Sequence, residues 1–267
     1  MAENKVKSSI DARETGVLGE MIFKGKYGVK EYFLDINSTF LAKKYQKEQG
    51  VYTTLNVSKI FCTNELARRY VTSKIVEILK NYISKLKIKS PTFLVVGLGN
   101  AFLIADSLGA MVVKNLLATH NIPSELRESL GDLCALIPGV SGINGFATAD
   151  IVLGAVNTVR PNIVIMIDAL TAREPARIGC SFQFSNTGIS PGAGIGSKNQ
   201  RLNKNFLGAD IISIGVPMMI NASNLGSELT DFVVTPKEID IYTKNCAKVI
   251  ASAINEVVHT KRYKDFL

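Results

Sequence analysis

A three-layer α/β/α fold, in which a mixed, mainly parallel sheet is covered by helices on both faces, is the architecture this sequence predicts. Short apolar runs closed by Gly or Pro alternate with longer stretches whose apolar residues recur at helical spacing. Several of the runs are unbroken and rich in Val, Ile and Leu, the pattern of strands buried on both faces. Hydrophobic residues make up 46% of the 267, enough for one large core. No uninterrupted apolar stretch approaches the ~18 residues that would suggest a membrane span.

Residues 1–25 read as a mobile leader, polar and interrupted by Gly16, Gly19 and Gly25. They lack the apolar centre of a secretory signal, so a cytoplasmic location is expected. Residues 26–267 read as a single domain. Residues 32–36 and 51–57 alternate as strands do. Thr63 or Asn64 can cap a helix that runs to about Leu86 with Leu66, Tyr70, Ile75, Ile78, Leu79, Tyr82, Ile83 and Leu86 along its apolar stripe. Residues 93–98 form a buried strand ending in glycines, followed by a helix over 107–119. Strands are expected at 133–137, 163–167, 179–184 and 211–214, the last ended by Gly215 and Pro217, with a helix over 148–159 between the first two. Thr235 as N-cap and Pro236 at the first helical position open a final helix that turns Ile239, Tyr242, Cys246, Val249, Ile250, Ala253 and Val257 inward.

Composition narrows the chemistry. Histidine occurs only at His120, read as a helix-end residue, and at His259 in a basic tail, which disfavours Ser-His-Asp and Cys-His arrangements. Cys62, Cys134, Cys180 and Cys246 have neither zinc-site nor CxxC spacing and read as free thiols. The net charge of +8 is concentrated between Lys24 and Lys89, where 14 Lys and Arg stand against 5 Asp and Glu. Lysines scattered at helical spacing read as a solvated face, so no direct nucleic-acid role is expected.

In an open parallel sheet, sites form beyond the carboxyl ends of the strands. Three strand ends carry unusual residues: Gly97-Leu98-Gly99-Asn100 with Asp106 soon after, the segment 137–142, and Asp168 directly after an apolar run. A carboxylate at the edge of a core is costly unless it has partners or gives up its charge. Two such groups facing each other would share a proton and supply a base and an acid. Two plainer roles stay open: Asp106 capping the helix that follows it, and Asp168 binding loop amides. Gly97 and Gly99 lack the third glycine of a dinucleotide fingerprint, and Gly188, Gly192, Gly194 and Gly196 before Lys198 do not fit a phosphate loop, so no cofactor is expected.

Several segments resemble the germination protease family: GVYTTLNV (50–57), LVVGLGN (94–100), ADSLGAMVV (105–113), IPGVSGINGFATADI (137–151), PNIVIMIDALTAR (161–173), the stretch 186–222 containing PGAGIG and IGVP, and 234–255. The resemblance covers most of the chain, in order. It implies an atypical aspartic endopeptidase of the spore core that degrades small acid-soluble spore proteins during germination. It further implies a zymogen with a short N-terminal propeptide, a homotetramer, and the fold of hydrogenase-maturation endopeptidases. The family's two essential aspartates match Asp106 and Asp168, and no metal ligand is assigned. Ala101-Phe102 and Ile104-Ala105 stand where the family has Trp-Asn and Thr-Pro, and Asn186 stands where it has Asp. Two further readings stay open: a metal-dependent peptidase of the maturation type, and a spore protein that kept the fold, lost turnover and binds through its basic third. The segment between Glu14 and Ile22 loosely resembles a self-cleavage site.

Overall fold

The structure, a computed structural model, describes residues 19–123, 130–191, 200–226 and 232–259. Among these, nine strands form one sheet: β1 (Glu20–Lys24), β2 (Lys30–Ile36), β3 (Gly50–Asn56), β4 (Thr92–Gly97), β5 (Asp132–Leu136), β6 (Ile163–Ala172), β7 (Ser181–Ser185), β8 (Asp210–Asn221) and β9 (Val233–Val234). Their order is β1-β2-β3-β7-β8-β6-β4-β5, with β9 beside β8. Strands β8, β6, β4 and β5 run parallel, whereas β1, β2, β3 and β7 continue the sheet in antiparallel pairs. The sheet is therefore mixed, with its parallel part built from strands between Thr92 and Asn221.

Two helical layers cover it. Seven helices are described: α1 (Thr39–Tyr45), α2 (Glu65–Leu86), α3 (Leu108–Val113), α4 (Ser141–Asn144), α5 (Thr148–Val159), α6 (Lys204–Leu207) and α7 (Ile239–Val258). Successive strand residues point to opposite faces, and the core divides accordingly. Phe93, Val95, Ile163, Ile165, Ile167, Ile212 and Ile214 pack with α2, α3 and α7. Their neighbours Leu94, Val96, Val164, Met166 and Ile211 pack with Ala149, Val152 and Val156 of α5 and Leu207 of α6. The unbroken apolar runs follow from this, since both faces of those strands are buried.

Local departures from the sequence reading have physical reasons. The residues Glu20–Lys24, expected in a mobile leader, pair with β2 as an edge strand. Of the two expected caps of α2, Asn64 holds the position, accepting a hydrogen bond from the Ala67 N–H at 3.0 Å. Leu66, expected on the buried stripe, faces solvent at 63% exposure while Ala67 turns inward. Helix α3 ends at Val113 rather than 119 because other groups capture the chain beyond it. Asn255 of α7 accepts from the Leu117 N–H and donates to the Asn115 carbonyl, and the Thr119 and His120 N–H groups donate to Leu133 O. Strands β6 and β8 run past their expected ends and remain paired as far as Ala172 and Ile220. Pro217 is accommodated where their register shifts, a bulge at which its missing N–H does least harm. Helix α7 opens at Ile239, with Glu238 and not Thr235 at the cap, because 236–238 form a turn closed by the Ile239 N–H on Pro236 O.

Candidate active site

The tip of β4 and the middle of β6 bring Asp106 and Asp168 to one locus. Gly97 lies opposite Ile167 in the parallel ladder, and the Leu98 N–H extends it by donating to Ile167 O at 2.8 Å. Asp168 is thus the first β6 residue beyond the tip of β4. On its other flank the ladder places Gly215 of β8, which contributes no side chain. Beyond Leu98 the chain turns through Gly99 at φ +96°, a conformation that favours glycine. A Cβ on Gly99 would stand 2.1 Å from the Asp106 carbonyl oxygen, so the loop closes tightly on itself here. That closure lets the Asn100 N–H donate to Asp106 Oδ2 at 2.7 Å. The carboxylate therefore binds the loop before it and does not cap α3: Ser107 holds the cap position, without a side-chain bond to the helix.

Electrostatics separates the two groups. Asp168 is buried and accepts the N–H of Ala169 at 3.0 Å. Burial pushes its carboxyl up to about 8, the Asp106 charge pushes the same way, and the Ala169 N–H opposes both. Asp106 is half-buried. Its carboxyl is also raised by burial, against the opposing bond from Asn100. The Asp106 charge is near enough to Asp168 to raise it further. Asp106 is the less buried of the two and accepts an amide N–H, whereas Asp168 is the more deeply buried and is pushed up to about 8.

The remaining sequence candidates lie elsewhere or play supporting parts. The segment after β5 brings no ionisable group; Asn144 Nδ2 donates to Pro138 O at 2.8 Å and Thr148 Oγ1 to Gly139 O at 3.3 Å, bracing a tight loop. Gly188 takes φ +95° at a turn beside the Ile189–Leu202 bridge. Gly192, Gly194, Gly196 and Lys198 lie outside the described residues. Both histidines sit at the opposite end of the parallel strands. His120 Nδ1 lies 2.8 Å from Asp132 Oδ1 at the start of β5. His259, expected in a basic tail, is buried at the end of α7 with Nε2 2.9 Å from Leu117 O, and burial lowers its pKa. The four cysteines are free thiols. Among the described residues no three His, Cys, Asp or Glu side chains group as metal ligands would. The supporting role of Asn100 was not assigned from sequence; the strand-closing Gly-Leu-Gly before it was the available signal.

The sequence profile of germination proteases matches residues 3–234. The chain belongs to the germination protease family. Germination proteases of individual species agree. That of Clostridium acetobutylicum is 32% identical over 260 residues, covering 80% of each chain. Those of Bacillus velezensis and Bacillus subtilis are each 37% identical, over 79% and 70% of this chain. The chain spans little more than half the length of these two Bacillus germination proteases, 58% and 52%. Among solved structures, the NiFe hydrogenase maturation protease HycI of Thermococcus kodakarensis aligns at 20% identity and a TM-score of 0.36, over 61% of this chain and 92% of that one. As a member of the germination protease family the chain is a peptidase by descent. Asp106 lies beyond the carboxyl end of β4, and Asp168 lies within β6, one residue past the level of that end. Among the described residues, no helix is long and apolar enough to cross a membrane.

Proposed function

We propose that the chain is an endopeptidase that hydrolyses small acid-soluble spore proteins during germination, with Asp106 and Asp168 as its water-activating pair. What supports this is the contrast between the two carboxyls: a buried Asp168 pushed up to about 8 beside a less buried Asp106 that accepts the Asn100 N–H. Asp106 takes a proton from water as the water oxygen bonds to the carbonyl carbon, while Asp168 gives its proton to the carbonyl oxygen. As the tetrahedral intermediate collapses, a hydroxyl proton returns to Asp168. The C–N bond breaks, and the leaving amine takes the proton held by Asp106. One water is consumed and both carboxyls regain their starting states. Family membership supports a protein substrate; the spore-protein substrate, the spore-core location, the homotetramer and a propeptide within residues 1–25 belong to the same proposal.

The test compares the full chain with Asp106→Asn and Asp168→Asn, each incubated with a small acid-soluble spore protein and read by mass spectrometry. Removing one member of an acid–base pair is expected to slow cleavage at least ~100-fold while circular dichroism is unchanged. Full activity in either variant overturns the pair. No cleavage by the parent chain, with binding retained, identifies instead a spore protein that kept the fold and lost turnover.

A further inference from the structure

Sheet register sets a third polar side chain in line with Asp168. Asp168 of β6 lies opposite Gly215 of β8, and Gly215 lies opposite Gln183 of β7. Residues paired across a sheet share a face, and the adjacent row shows which one. Ile167, Ile214 and Phe184 are paired in the same way, and all three lie in the core covered by α2, α3 and α7. Successive residues alternate, so Asp168 and Gln183 rise from the other face, on either side of a residue that has no side chain.

Two observations separate this place from ordinary core. Strand β7 is an inner strand, paired with β3 on one side and β8 on the other, yet of its five residues Gln183 is the one that is not buried. The row continues into Thr54 of β3, which is also half-buried. The sheet therefore reaches solvent on this face, in line with a buried carboxyl. Ser213 lies two residues before Gly215, on the same face. It is fully buried, and its Oγ has no hydrogen-bond partner among the described residues. A buried hydroxyl left without a partner is costly. Ser213 does nothing for the fold's own hydrogen bonding, and its polarity suits a polar occupant of this face.

We propose that Gln183 is a third catalytic residue, whose carboxamide N–H donates to the substrate carbonyl oxygen that Asp168 protonates. This rests on the peptidase reading above. Asp168 and Gln183 stand two strand spacings apart, ~9.6 Å. Two hydrogen bonds that meet on one oxygen span ~6 Å, and the side chains close the remainder by leaning over Gly215, where no Cβ opposes them. A carboxamide carries two N–H donors and keeps them at any working pH. Gln183 gives up no proton. Its N–H holds the negative charge that develops on the oxygen as water adds, before the proton of Asp168 has fully crossed. The contact is made to the main chain of the substrate and is indifferent to the side chains around the bond.

The full chain is compared with Gln183→Ala, Gln183→Glu and Thr54→Val on a small acid-soluble spore protein, with kcat and KM measured from pH 5 to pH 8. Loss of one oxyanion donor is expected to lower kcat ~100-fold in Gln183→Ala, with KM within ~threefold. Gln183→Glu keeps the shape but has no donor once ionised. Its loss relative to the parent should match that of Gln183→Ala at pH 8 and shrink at least ~fivefold toward pH 5, where the protonated carboxyl donates again. Thr54→Val, next in the row, should keep the parent's kcat and KM. Circular dichroism and urea midpoints confirm that each variant is folded. A Gln183→Ala kcat within threefold of the parent overturns the proposal and leaves the carboxyl pair standing. So does a Gln183→Glu loss that is the same at every pH, or a Thr54→Val loss as large as that of Gln183→Ala, either of which makes the row structural. No cleavage by the parent chain overturns this role together with the peptidase reading.

Discussion

Asp168 holds its proton at a position where ionisation would place a charge inside the sheet. Its ordinary value is 3.8 and its surroundings move it to about 8. Between those limits the folded chain binds a proton that the unfolded chain has released. This contribution to stability is therefore fully present below 3.8, declines as pH rises, and is spent above about 8. The slope in that window is up to about 1.4 kcal/mol per pH unit. Asp168→Asn keeps the shape but cannot ionise, so it is expected to gain stability on the parent steadily from pH 5 to pH 8. Urea midpoints measured across that range check it; parallel curves would show that Asp168 is already ionised in the fold. The position of Asp168 was legible because a carboxylate directly follows an unbroken apolar run. The partner of Asp106 was not, because the Asn100 bond depends on the left-handed Gly99, a dihedral angle that spacing does not encode.

The elements most easily read were those with a strong local signal. Helix α5 spans the expected residues, and α2 is capped by Asn64, one of the two residues expected there. The ends of α3, β6 and β8 were misread because partners remote in sequence set them: Asn255 captures 115–117, and β6 and β8 prolong each other through 172 and 220. Close packing between β4 and α3 then fixes the loop that carries Asp106. A Cβ on Gly97 would stand 2.2 Å from Gly109 O, and one on Gly109 2.5 Å from Leu98 N. Gly99→Ala meets both a forbidding φ and the Asp106 carbonyl. It is expected to cost about 1–3 kcal/mol, the usual range for overpacking, and to cut activity more than tenfold by moving Asp106. Gly154→Ala in α5, with nothing within 4 Å of the new Cβ, is the matched control and is expected to be neutral or stabilising by up to ~1 kcal/mol. Urea denaturation and initial rates measure both; a Gly99→Ala chain as stable and active as the parent would mean the turn does not set the carboxyl.

At the scale of the molecule, the strands at 32–36, 51–57 and 179–184 were legible but their pairing was not: β1, β2 and β3 continue the sheet through β7, with Tyr52 opposite Ser185. That pairing joins residues far apart in sequence and leaves no local trace. It bears directly on the leader. A cut between residues 14 and 19 leaves the described sheet whole, whereas one between 19 and 26 strips β1, exposes the edge of β2 and removes Phe23 from beneath Lys74, whose Nζ lies 4.0 Å from the ring centroid. Strand β1 is mostly exposed, so its loss is expected to cost about 1–2 kcal/mol, which for a domain of this size lowers Tm by roughly 2–8 °C. A chain beginning at Gly19 should melt with the full chain, and one beginning at Lys26 should melt below it. Identical melting of the two would make β1 dispensable and restore a leader that reaches residue 25. Melting in the expected order confines any propeptide that is removed without loss to the residues before Gly19.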